Sequence, residues 1–124
     1  MANSGAGPYG SVIAEHFRRP RNQGSLPGAT ASAEVVNPLC GDRIRVAVLV
    51  DGGSIVEARF VANACAICIA AASLLTEHVR GMSPNDGAHL GDESVLALVG
   101  AVPAGRIRCA TLPIEALRRA LAAA

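Results

Sequence analysis

The sequence predicts an α+β fold, with a small antiparallel sheet of about three strands packed against helices. Two observations carry this. The middle of the chain holds two runs of alternating apolar and polar residues around a Gly-Gly turn. After them the apolar spacing changes to that of a helix and stays so to the end. Strands first and helices afterwards imply a sheet segregated from its helices, not a series of βαβ units.

The elements follow in order. Residues 9–17 carry Val12, Ile13 and Phe17 on a short amphipathic helix stopped by Pro20. Residues 21–28, with Asn, Gly and Pro, form a turn-rich loop. Residues 33–36 are a first strand, ended by Asn37-Pro38. Residues 43–50 alternate, with Ile44, Val46, Val48 and Val50 opposite Arg43 and Arg45. After the turn Asp51-Gly52-Gly53-Ser54, residues 55–62 alternate again, with Val56, Ala58 and Phe60 opposite Glu57 and Arg59. Ile67, Ala70, Ala71, Leu74 and Leu75 then recur at helical spacing, with Asn63 the expected N-cap and Gly81 the stop. A shorter helix is expected over residues 92–99. A last one starts near Thr111, takes Pro113 in its first turn and aligns Ile114, Leu117 and Leu121.

A chain of 124 residues makes one domain, here residues 9–124 behind a flexible start at residues 1–8. Apolar residues make up 51% but aromatics only 2%, so the core is built from Ala, Val, Ile and Leu. A formal net charge of +1, with arginines scattered and no interleaved aromatics, excludes a nucleic-acid footprint. The longest apolar stretch, residues 60–75, is broken by Asn63 and Ser73 and falls short of the roughly twenty residues of a membrane span. The polar start shows no secretory signal, and the expectation is a soluble, cytoplasmic protein.

In a reducing compartment the four cysteines are metal ligands, reactive thiols or small buried hydrophobes rather than disulfides. Their placement separates them. Cys40 lies in the loop before the hairpin, Cys65 in the first turn of the central helix, and Cys109 just ahead of the last helix. Such junctions are where function concentrates. A helix N-terminus favours thiolate, the form that binds metal, and Arg43 and Arg108 would act likewise if close in space. Gly41 allows a tight bend, and Asp42 brings a carboxylate toward the same point. Three sulfurs and a carboxylate form a four-coordinate set for zinc, or an incomplete all-thiolate set for a cluster. Cys65 and Cys68 make a C-x-x-C, but without the βαβ setting of a thioredoxin-like site. Cys68 is therefore read as a packing residue, with at best an auxiliary thiol role. His16 is read as a surface or packing residue, His78 and Glu77 as solvated, and His89 as a loop residue.

The motifs resemble a known family. Tyr9, Ile13, His16 and Pro20-Arg21-Asn22 come first, then Asn37-Pro38-x-Cys40-Gly41-Asp42 and Ala64-Cys65-Ala66-Ile67, then Arg106-Ile107-Arg108-Cys109-Ala110. Together they resemble the U-type iron–sulfur cluster assembly scaffolds, the family of IscU, SufU and the N-terminal domain of NifU, over roughly residues 9–121. The resemblance implies a SufE/NifU-like α+β fold and a metal site of Cys40, Asp42, Cys65 and Cys109. It implies a non-enzymatic scaffold that receives sulfur from a cysteine desulfurase, binds iron and passes a transient [2Fe–2S] cluster to iron–sulfur acceptor proteins. The alternative it offers is a zinc-dependent sulfur acceptor, a SufU-like sulfurtransferase, and Cys109 is the implied persulfide acceptor. A carboxylate at Asp42 suits a labile cluster, because oxygen holds iron less firmly than a fourth thiolate.

The pattern also departs from the family. Arg108 stands where IscU has His, and a protonated guanidinium does not ligate. The run from Arg108 to Leu112 looks SufU-like, whereas the gap from Cys68 to Cys109 is too short for the segment SufU typically carries. The Leu-Pro-Pro-Val-Lys chaperone peptide of IscU is replaced by Val102-Pro103-Ala104-Gly105-Arg106, so a chaperone interaction is not carried over. Cys68 has no family role. Native metal and monomer or dimer state stay open.

Overall fold

The computed structural model describes residues 10–124. The expected flexible start, and Tyr9 at the head of the first expected helix, lie outside the described residues. Three strands, β1 (Ala31–Val36), β2 (Arg43–Asp51) and β3 (Ser54–Asn63), form one antiparallel sheet in the order β1-β2-β3. Five helices accompany it: α1 (Ser11–Arg18), α2 (Ala66–His78), α3 (Pro84–Ala88), α4 (Asp92–Val99) and α5 (Ile107–Ala123), the last entered through a 3-10 turn at Ala104–Arg106. This is the expected α+β architecture. No described helix is long and apolar enough to cross a membrane.

The hairpin closes as its sequence dictates. Asp51 pairs with Ser54, and Gly52 and Gly53 both take positive φ (60° and 79°), the combination a two-residue turn between twisted strands demands. Ile44, Val46 and Val48 point inward with Ala58 and Phe60. Val56 does not join them. A bulge shifts the register between Leu49 and Val50, so Val50 pairs with Ile55 and Leu49 with Glu57. One extra residue inverts the face, leaving Ile55 fully buried and Val56 45% exposed.

The helices differ from expectation at their ends. On α1 only Ile13 and His16 are buried, while Val12 and Phe17 are substantially exposed. On α2 the N-cap is Cys65, not Asn63, which instead ends β3 opposite Arg43. This helix is buried on most sides, through Ile67, Cys68, Ala70, Ala71, Ala72, Ser73, Leu75 and Thr76. Small side chains suit a helix that packs against α1, α4, α5 and β3 together. Between α2 and α4 the chain forms α3, a short helix not expected from the sequence, capped by the Ser83 hydroxyl accepting from the Asp86 amide, with His89 at its C-terminal end.

The largest difference is at α5, which begins at Ile107 and not near Thr111. Pro113 therefore sits in the second turn. Having no N–H, it leaves the carbonyl of Cys109 without its helical hydrogen bond. Cys109 is thus in the first turn of α5, not ahead of it, and buried.

A polar link holds the N-terminal segment to α2. Ser73 Oγ accepts from the Arg21 amide (2.9 Å) and lies 2.7 Å from His16 Nδ1. Asn22 Nδ2 donates to Thr76 Oγ1 (3.2 Å), and the Phe60 amide donates to the Asn22 carbonyl (3.0 Å). His16 is therefore a packing residue. Burial first, and then the Arg21 guanidinium, hold its pKa below the ordinary 6.5, against the weaker opposing charges of Glu77 and Glu15. The ring is neutral in the fold and takes a proton more readily in the unfolded chain. Its contribution to stability is complete above about pH 6.5 and is lost as pH falls through the lower folded-state value. Urea titrations should show stability declining below about pH 6.5, and less steeply in His16→Gln. Identical slopes in the two proteins would remove His16 as the cause.

Candidate metal centre

The site is built from three junctions. Between β1 and β2 the chain turns through Asn37 to Asp42, and hydrogen bonds within that loop set its shape. The Asn37 amide donates to the Asp42 carbonyl (2.8 Å), the Gly41 amide to the Asn37 carbonyl (2.7 Å), and the Leu39 amide to Asn37 Oδ1 (3.1 Å). Gly41 has φ +79°, which a side chain would strain. Cys40 is left exposed at the tip of the loop, while Asp42 is tucked inward with 9% of its surface accessible.

The second junction is the start of α2. Cys65 caps the helix with an extended backbone (φ −72°, ψ 169°) and is half-buried. Its amide donates to Asp42 Oδ2 at 3.3 Å, so the carboxylate faces the positive end of the helix. The third junction is the first turn of α5, which carries Cys109.

Among the described residues, one ligand atom each from Cys40, Asp42 and Cys109 lie within 4.8 Å of one another. Cys65 is not part of that mutually close group. Its thiol instead hydrogen-bonds to Cys109, and its amide holds Asp42. The structure thus brings together three of the four residues expected from the sequence and sets the fourth against two of them. Cys68 is fully buried in the core cluster, as a packing residue should be. Glu77 and His78 are exposed, and His89 ends α3 with Nδ1 against the Asn85 carbonyl.

The electrostatics depart from the expectation of a thiolate at Cys109. Burial pushes its thiol up, with the hydrogen bond and charge of Cys65 and the charge of Asp42 adding to the effect, and the result is about 11. Arg108 does not oppose this, because its guanidinium is paired with Glu115 on the same helix. Arg43 is likewise paired, with Glu34 at 3.2 Å. The cation that favours the Cys109 thiolate is Arg106, through a side-chain hydrogen bond. Sequence reasoning missed it, since three residues of separation gave no sign that a helix joins the two. Without a ligand, Cys109 is a protonated thiol at neutral pH, and binding a metal or a sulfur atom there releases a proton.

Exposure and proton affinity together rank the thiols. Iodoacetamide should modify exposed Cys40 first. Cys109 should react slowly and faster as pH rises toward 11, while Cys68 should react only on unfolding. Peptide mass spectrometry over time checks the order, and early labelling of Cys109 at neutral pH would contradict the raised value.

Comparison with known proteins finds relatives over most of the chain. The family model of the NifU-like N terminal domain matches residues 8–123. The zinc-dependent sulfurtransferase SufU of Bacillus subtilis is 35% identical, covering 92% of this chain and 89% of its own. The iron–sulfur cluster assembly scaffold protein IscU 1 of Archaeoglobus fulgidus is 31% identical, covering 91% of this chain and 74% of its own. The SufU alignment runs over 133 positions, more than this chain possesses, so that relative carries inserted residues. The IscU 1 alignment runs over 113 positions for 91% of the chain and needs no such insertion. In three dimensions, the N-terminal part of a NifU-like protein from Brucella abortus superposes with a TM-score of 0.75 over 93% of this chain and 92% of its own, at 21% identity. The fold, the matched span and these relatives agree: the chain belongs to the NifU-like N-terminal domain family.

Proposed function

We propose that this chain is an iron–sulfur cluster assembly scaffold, holding its cargo at Cys40, Asp42, Cys65 and Cys109. The observation that carries the reading is the convergence of Cys40, Asp42 and Cys109 within 4.8 Å, with the Cys65 thiol hydrogen-bonded to Cys109. Three sulfurs and one oxygen from three distant segments suit iron and sulfide, which must be captured and then released. Asp42 supplies the weaker donor. Arg108 supplies none, because it stays protonated and is paired with Glu115. The cargo is a [2Fe–2S] cluster assembled from iron and from sulfur that a cysteine desulfurase delivers, and acceptor proteins remove it. The protein turns over no substrate of its own in this role.

Cys109 is the sulfur acceptor in this reading. Its thiolate attacks the outer sulfur of the donor's cysteine persulfide, the donor thiolate leaves, and the new persulfide stays on Cys109. Arg106 favours the thiolate needed for that attack. A second reading has specific support in the 35% identity to SufU: a sulfur-transfer protein whose thiols are fixed by zinc. The donor set fits zinc as well as iron, and zinc bound there would hold the cysteines as thiolates. The absence of the inserted residues favours the scaffold.

Protein purified without oxygen should be analysed for metal and acid-labile sulfide, before and after adding iron, cysteine and a desulfurase. About equal iron and sulfide in a reddish protein is the expected result. Persistent stoichiometric zinc, with sulfur accepted and no cluster built, would select the sulfur-transfer reading. Cys109→Ser should lose persulfide uptake and keep its fold, with a stability change of about 1–3 kcal/mol for one buried polar atom. Unchanged uptake in that variant, followed by intact-mass spectrometry, would reassign the acceptor.

A further inference from the structure

Of the four cysteines, Cys68 is left without a part in the scaffold role, yet it lies against the site. It is fully buried near the start of α2. After the larger effect of burial, the charges of Cys65, Asp42, Cys109 and Cys40 all push its thiol up, so all four groups stand within electrostatic reach of it. Cys65 precedes it by three residues. Neighbours at that spacing along a helix have Cβ atoms about 5–6 Å apart, roughly 1–2 Å more than a disulfide wants. Cys65 is not held to helical geometry, however. It is the N-cap, in an extended conformation, so the spacing of two fully helical residues does not apply to its sulfur, which hydrogen-bonds with Cys109.

Cluster sulfur is sulfide, whereas persulfide sulfur is two electrons more oxidised. We propose that Cys65 and Cys68 form a dithiol that reduces incoming sulfane sulfur to sulfide and closes as a disulfide. The inference rests on the sulfur-acceptor reading above. Cys65 Sγ attacks the outer sulfur of the Cys109 persulfide. The Cys109–sulfur bond breaks, and Cys109 departs as the thiolate and takes the Cys65 proton. Cys68 Sγ then attacks Cys65 Sγ, expelling the outer sulfur as hydrosulfide, which carries off the Cys68 proton as hydrogen sulfide. Two thiols become one disulfide, one sulfane sulfur becomes sulfide, and no outside oxidant enters. A dithiol reductant reopens the pair for the next round. Full burial keeps Cys68 away from dissolved oxidants and restricts its chemistry to the sulfur beside it.

The test uses the full chain treated with inorganic polysulfide without oxygen, then freed of reagent. Wild type should release about one sulfide per chain and lose two hydrogens from the peptide containing Cys65 and Cys68. Cys68→Ala should take up the same sulfur but retain it, releasing at least roughly tenfold less sulfide. Cys68→Ser, of similar shape, should behave likewise and guards against a packing fault in the first variant. Sulfide release independent of Cys68, or a wild-type disulfide joining Cys65 to Cys109, would overturn the dithiol while leaving the acceptor reading intact. No sulfur uptake by wild type would overturn both.

Discussion

The contact between the Cys65 amide and the Asp42 carboxylate joins the sheet to the helical layer at the point where the ligands meet. It depends on the register of β1 and β2, in which Val36 faces Arg43 and the Asn37 amide meets the Asp42 carbonyl. Slipping that pairing by one residue would turn every side chain of β2 to the opposite face. The Arg43 side would then face the core and Ile44 the solvent, so the burial of Ile44, Val46 and Val48 protects the register. With the strands fixed, Asp42 points inward at the start of α2, and Cys40 stays outside at the tip of the loop. Because α5 packs on β1 and β2, the same register also governs where Cys109 arrives.

Much of this was legible in the sequence because the signals were local. Alternation and a Gly-Gly turn specify the β2–β3 hairpin, and helical spacing specifies α2. The four ligand candidates stood out by their positions at element junctions. What escaped depended on information that no short window contains. Val56 looks inward by strict alternation, and only the bulge, a property of the paired strands, reverses it. Pro113 is favoured in a first helical turn, which placed the start of α5 one turn late. Tertiary packing tolerates the proline in the second turn and draws the preceding residues, Cys109 included, into the helix.

That last displacement changes the chemistry. Ahead of a helix, Cys109 would face solvent and the dipole. Inside the first turn it is buried beside a second thiol and a carboxylate, and these raise its proton affinity beyond what a helix end can offset. Arg108, next in sequence, does not compensate, since Glu115 holds it, and the hydrogen bond of Arg106 offsets only part of the rise. Cys109 keeps its proton at neutral pH, so a metal taking its sulfur would displace that proton, and occupancy of the proposed site would depend on pH without any separate switch.

Arg108 adds no donor to the proposed set. Its guanidinium reaches Glu115, seven residues on, so the side chain runs along α5 and away from the thiols. With that position paired elsewhere, Asp42 is the fourth donor of the proposed set, and it is already held by the Cys65 amide. A carboxylate shared between a backbone donor and a metal binds the metal more weakly than a free one. Cys40 is the most exposed thiol of the proposed set, so its side is the readiest approach for a donor or an acceptor. In the proposed scaffold role, an inner sulfur, a shared oxygen and one exposed thiol would let the site hold a cluster and also release it.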